Sequence, residues 1–157
     1  MPPQFIINLE NLDLDRVLYG PDTIREVNPH RDAFEMLQGV VHVNEAEHEL
    51  IGFRDIKSDE FWVSGHIPGR PLFPGVLMIE LAAQVASFYT KKFKKWKGFI
   101  GFGGVSECKF RQQVVPGQRL YVLCKQEWER HKRIGCKTQG IVNGTLVFEC
   151  GIIGVEF

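Results

Sequence analysis

Apolar and polar positions along the chain divide it into a few regular stretches. From "QGVVHVNEAEHELIGFRDI" (38–56) the pattern is extended: two runs rich in Val, Ile and Phe flank the polar "NEAEHE", which predicts a β-hairpin. Three prolines and three glycines then fall between Gly65 and Gly75 and forbid regular structure there. "FPGVLMIE" opens a helix, with Pro74 tolerated in its first turn, that runs to about Lys92 and is rich in Leu, Ala, Met and Glu. Beyond it the chain is β to the end: "GFIGFGGVSECKFRQQV", a turn at "VPGQ", "RLYVLCKQEWER", "RIGCKTQGIV", a turn at "NGT", and "TLVFECGIIGVEF". Residues 9–37 are mixed and polar, with turn signals at "YGPDT" and "VNPHRD" and room for one or two short helical turns.

A helix apolar on most of its faces has to be enclosed, and strands joined by short turns form an antiparallel sheet. The expected fold is therefore α+β, a curled antiparallel sheet wrapped around one long central helix. The 157 residues suffice for one domain, 1–157, in which 1–37 form a mixed N-terminal segment.

Composition narrows the function classes. Nineteen basic and nineteen acidic side chains cancel, so nothing favours nucleic acid as a partner. Four widely spaced cysteines, Cys108, Cys124, Cys136 and Cys150, show no C-x-x-C pair and no clustered histidine for a metal; they read as small apolar residues of a reduced, cytoplasmic protein. The N-terminus has no basic-then-apolar secretion signal, and no apolar run is long enough to span a bilayer.

The chemistry centres on "SGHIPGRPLFPGVLMIELAAQVASFYTKK". Glu80 is the one charged side chain between Pro71 and Thr90. In a helix starting near Gly75 it lies about 7–8 Å along the axis. Helical side chains lean toward the N-terminus, so its carboxyl points at the first turn. There the free N–H groups of Gly75 and Val76 favour a ligand oxygen carrying negative charge, and Gly75 has no side chain to obstruct it. Gln84, four residues on, shares the face of Glu80 and can orient the carboxyl or a water. His66, on the irregular segment feeding the helix, can fold over the same mouth. An unpaired buried carboxyl drifts toward its neutral form, which can donate a proton, while a neutral imidazole can accept one. Taken singly, His66 reads more readily as a loop residue and Gln84 as a hydrogen-bonding core polar; their conjunction with Glu80 points to acid–base chemistry.

"FWVSGHIPGRPLFPGVLMIELAAQ" closely resembles the signature of FabZ-type 3-hydroxyacyl-[acyl-carrier-protein] dehydratases, a hot-dog-fold family, with His66 and Glu80 at its two catalytic places. "NPHR" (28–31) and "CKFRQQVVPGQRL" are similar to two further family segments. The glutamate favours the FabZ type over the FabA type, which carries aspartate there and also isomerises its product. Three departures stand out: Ile67 replaces the usual phenylalanine, "AFEMLQGVV" lacks the customary Asp–Arg pair, and Gln113 replaces a proline. They leave acyl length open and admit a specialised lipid or polyketide route.

The resemblance implies loss of water from a (3R)-3-hydroxyacyl thioester on acyl carrier protein to give the trans-2-enoyl thioester in fatty acid synthesis. His66 would remove the C2 proton, the helix start at Gly75 and Val76 would polarise the thioester carbonyl, and Glu80 would protonate the departing hydroxyl. It also implies a homodimer in which His66 of one protomer faces Glu80 of the other, often assembled into a hexamer. No metal or redox cofactor is required, since only protons and water move. The five lysines of "KKFKKWK" (91–97) suit a helix C-terminus and a soluble surface, and could also steer an acidic carrier. Two other classes share these features: a hot-dog acyl thioesterase, which would use the helical carboxylate to activate water, and a non-catalytic acyl-binding subunit, against which the intact His66 and Glu80 speak.

Overall fold

The computed structural model describes residues 4–157. The expected hairpin is present as β1 (Gly39–Asn44) and β2 (Glu49–Asp55), whose polar tip carries His48 at φ 58°. The four later runs form β3 (Ile100–Phe110), β4 (Arg119–Arg130), β5 (Arg133–Val142) and β6 (Thr145–Glu156). All pair antiparallel in one six-stranded sheet of order β1-β2-β4-β5-β6-β3. The "NG" turn joins β5 to β6 with Asn143 and Gly144 both at positive φ, 49° and 76°, the conformation a two-residue hairpin of the right twist requires.

The long helix, α2 (Gly75–Phe93), lies across the concave face of this sheet. Pro74 stands one position before the first turn and accepts the N–H groups of Leu77 and Met78. Leu81, Ala82, Val85, Phe88 and Tyr89 are buried against Leu50, Leu120, Val122, Ile134, Cys136, Phe148 and Ile152. Alternate residues of the same strands point the other way: Ile51, Phe53, Leu123 and Ile141 pack with Ile7 and Val41 in a second apolar layer. That layer is roofed by the N-terminal segment through Phe5, Ile6, Leu9, Leu12 and Leu14. Gln139 pins the segment in place: its carbonyl oxygen accepts the Ile6 N–H at 2.8 Å and its amide donates to the Gln4 carbonyl at 3.0 Å.

The rest of residues 9–37 contributes α1 (Pro21–Val27) and a 3-10 turn, Asp32–Phe34, within the expected one or two helical turns. A buried Arg54–Glu60 pair braces the loop after β2. Arg54 also donates to the carbonyls of Glu35 and Met36, and Glu60 receives the Lys57 N–H and the Trp62 indole. Among the described residues, no helix is long and apolar enough to cross a membrane.

Candidate active site

Glu80 stands on the one stripe of α2 that the sheet does not cover, with Val76, Ala83 and Ser87 at helical spacing beside it. Its carboxyl borders a cavity of about 200 Å³. Ala83, Ala86 and Thr90 form one wall, and Ile134, Cys136 and Ile152 face them from the sheet. The helical wall from Glu80 to Thr90 is about 15 Å long at the helical rise. An apolar slot of this shape with one acid at its end suits an extended hydrocarbon whose reactive carbons stop beside the carboxyl.

The carboxyl is partnered, which differs from the unpaired group the sequence suggested. Gln84 is buried, and its amide N–H donates to Glu80 Oε2 at 2.9 Å and to the Phe34 carbonyl at 2.8 Å. Its carbonyl oxygen accepts the N–H groups of Met36 and Leu37 at 2.9 and 3.2 Å. Those two donors fix the amide's orientation, so Gln84 can present only N–H to Glu80. A protonated carboxyl must therefore carry its hydrogen on Oε1, leaving Oε2 as the acceptor.

The second partner is His30, whose Nε2 lies 3.5 Å from Glu80 Oε2. The segment "NPHR" is built to place it. Asn28 ends α1, donates its side-chain amide to the backbone carbonyl of Gln84 at 3.1 Å and accepts the Ser87 hydroxyl at 3.0 Å, which ties the segment to α2. Arg31 clamps the backbone through the carbonyls of Arg25, Asn28 and His30. The imidazole stacks on Phe34 with 12° between planes. Burial holds it below its ordinary range, against the opposing pull of Glu80, while Arg31 adds to the lowering. The family resemblance marks this motif but gives His30 no role; the signal lies in the motif, while the pairing joins residues fifty apart.

The other expected residues lie elsewhere in the protomer. His66 is exposed on the turn-rich segment before α2, where its N–H bonds the Trp62 carbonyl at 2.9 Å, and it does not line the cavity. Gly75 and Val76 open α2 with no side chain capping the helix, so their N–H groups keep the dipole end, but they too lie outside the lining. The approach to Gly75 is not empty: a Cβ there would come within 3.0 Å of the Phe110 ring. One protomer thus joins Glu80, Gln84 and His30 and leaves His66, Gly75 and Val76 outside the cavity lining. Among the described residues, no three His, Cys, Asp or Glu side chains gather to hold a metal ion.

The FabA-like domain model matches residues 28–151. The 3-hydroxyacyl-[acyl-carrier-protein] dehydratase FabZ of Listeria monocytogenes serotype 4b is 33% identical over 131 residues, 83% of this chain and 90% of that protein. The enzyme of the same name from Exiguobacterium sibiricum is 35% identical over 104 residues, 66% of this chain and 74% of that protein. In structure the chain is similar to the dehydratase heterocomplex ApeI:P from Xenorhabdus doucetiae, with a TM-score of 0.72 at 14% identity over 85% of this chain and 90% of that one. At that identity the likeness speaks for the fold, which is the hot-dog arrangement of a sheet curled about its helix.

Proposed function

We propose, from the membership of this chain in the FabA-like family, that it is a FabZ-type dehydratase acting in fatty acid biosynthesis. It takes a (3R)-3-hydroxyacyl thioester on acyl carrier protein to the trans-2-enoyl thioester and water. The observation that carries this reading is Glu80, a single oriented carboxyl at the end of an apolar slot.

The reaction removes a proton from C2 and hydroxide from C3. His66 takes the C2 proton, and the N–H groups of Gly75 and Val76 stabilise the negative charge that grows on the thioester oxygen. Glu80 passes the hydrogen on Oε1 to the leaving hydroxyl, and Gln84, donating to Oε2, stabilises the carboxylate this leaves. The His66 proton returns to Glu80 through solvent before the next turnover, so no cofactor enters the balance.

In one protomer His66 is exposed and lies outside the lining of the slot, which supports a homodimer in which each site takes His66 from one chain and Glu80 from the other. The surface agrees with that assembly. β3 is an edge strand of eleven residues carrying Phe102, Val105 and Phe110, with Phe99 just before it, all exposed. So long an apolar edge needs a partner, and a second copy supplies one of matching length. A trimer of such dimers is the larger assembly we expect. The carrier protein is the macromolecular partner, and all four cysteines are free thiols, in keeping with the cytoplasm. The single domain of this reading spans 1–157, supported by the segment from Phe5 to Leu14, which roofs the outer face of the same sheet.

Incubation with a (3R)-3-hydroxyacyl thioester tests the reading. Enoyl-thioester absorbance without release of free thiol is the expected result. Release of thiol would make the chain a thioesterase.

A further inference from the structure

The geometry points to His30 as a positioning residue for Glu80, an Nε2–H donor placed to complete the acid's hydrogen-bond shell within the same protomer as negative charge develops on it. The inference rests on the dehydratase reading and adds to it a residue which that chemistry does not name.

Three observations carry it. The Nε2 of His30 lies 3.5 Å from Glu80 Oε2, the oxygen already bonded by Gln84. The other ring nitrogen, Nδ1, is buried with no partner among the described residues. The ring is held in place by Phe34 and by the anchored backbone of Asn28 and Arg31. Together these select a tautomer. A hydrogen on Nδ1 would be a buried donor without an acceptor, whereas a hydrogen on Nε2 meets a carboxyl oxygen and leaves only a bare lone pair inside.

The consequence concerns the acid's charge. As Glu80 gives up its hydrogen from Oε1, negative charge develops on the carboxyl, and both Gln84 and His30 aim donors at Oε2. At 3.5 Å the His30 contact is longer than a formed hydrogen bond, and it needs to close by only about half an ångström as that charge builds. Such an interaction is stronger after proton transfer than before it, and so it lowers the barrier. Neutrality matters here. A protonated His30 would pair with ionised Glu80 in the resting enzyme and withhold the acid. The charged groups around the ring are Glu80 from α2 and Arg31 and Glu35 from the segment around the 3-10 turn; burial, with Arg31, outweighs the two carboxylates and disfavours the charged ring.

The test uses the full chain with His30→Phe, which keeps the stacked ring and loses the donor, and His30→Gln, which restores a donor that does not titrate. His30→Phe should lower kcat by roughly 10- to 100-fold, the scale of one hydrogen bond to a charged group, with KM nearly unchanged, and His30→Gln should recover most of the loss. The low-pH limb of the kcat profile should lose the contribution of His30 in both variants. Imidazole ¹⁵N spectra of the uniformly labelled protein should show His30 as the Nε2–H tautomer, with its midpoint falling further in Glu80→Gln. A His30→Phe protein with wild-type kcat and pH profile, or an Nδ1–H tautomer, would overturn the assignment. The spectra need no turnover, so an enzyme that forms no enoyl thioester would sink the dehydratase reading and leave this assignment to be decided by the tautomer.

Discussion

Gln84 gives its amide N–H to Glu80 Oε2 at 2.9 Å only because the backbone N–H groups of Met36 and Leu37 hold its carbonyl oxygen. A core hydrogen-bonding role and a catalytic supporting role, which read as alternatives in sequence, are one arrangement. Replacing Gln84 by Ala should therefore damage both properties. The buried N–H groups of Met36 and Leu37 lose their acceptor at about 1–3 kcal/mol each, the Phe34 carbonyl loses a donor, and the carboxyl loses the donor that fixes its orientation. Thermal melting and kcat measured on the same preparation should both fall. A drop in kcat with unchanged melting would mean that the backbone groups find other partners.

The buried Arg54–Glu60 pair gives a prediction about stability alone. Glu60→Ala leaves Nη2 of the Arg54 guanidinium, the Trp62 indole and the Lys57 N–H without their acceptor, and the buried cation without its counter-charge. Removing one member of a buried pair costs about 3–5 kcal/mol, which lowers the melting temperature by on the order of 10 °C in a domain of this size. Changing both members, Arg54→Met with Glu60→Leu, should recover much of that loss. Calorimetry of the two variants checks it.

Alkaline pH should destabilise the fold through two groups. Burial pushes the Cys150 thiol up to about 11 and the Tyr89 hydroxyl up to about 12, from ordinary values of 9.0 and 10.0. A raised value in the folded state means that the unfolded chain loses its proton first. The stability these neutral groups contribute is complete below pH 9 and is lost between pH 9 and 12. Melting temperatures taken from pH 8 upward should fall across that window. The slope above pH 10 should lessen in Tyr89→Phe, although that variant also loses the bond to His48.

Assembly is tested by mixing. Phe102→Asp on the exposed edge of β3 should lower the sedimenting mass toward the monomer and abolish turnover with it. If His66 and Glu80 of one site come from different chains, exchanging subunits between His66→Asn and Glu80→Gln proteins should rebuild one intact site in each mixed dimer. About a quarter of wild-type turnover per chain should return. A folded, active monomer at micromolar concentration would contradict the shared site.

The hairpin, the long helix and the four strands were legible in the sequence because each carries its own periodicity and turn residues, as in Asn143–Gly144 between β5 and β6. Glu80 was legible for the same reason, as one charge in an apolar helix. The surroundings of the acid were not. The His30–Glu80 contact spans fifty residues, and the Phe110 ring against Gly75 joins β3 to a helix start. No local pattern encodes either one, since both follow from how the sheet curls. The second apolar layer was hidden likewise: "FIINLENLDL" is too mixed to declare a partner until β2, β4 and β5 present their outer faces to it.

The most direct test of the account is turnover and melting of His66→Asn, Glu80→Gln and the double variant on a (3R)-3-hydroxyacyl thioester. Each single change should cost roughly two to four orders of magnitude in turnover, the scale of losing a general acid or base, with little change in melting temperature, because a glutamine at position 80 can still accept from Gln84. The double variant should be scarcely slower than the worse single one, as groups acting as a unit are not additive. Unchanged turnover in either single variant, or a melting temperature that falls in step with the rate for Glu80→Gln, would contradict the account.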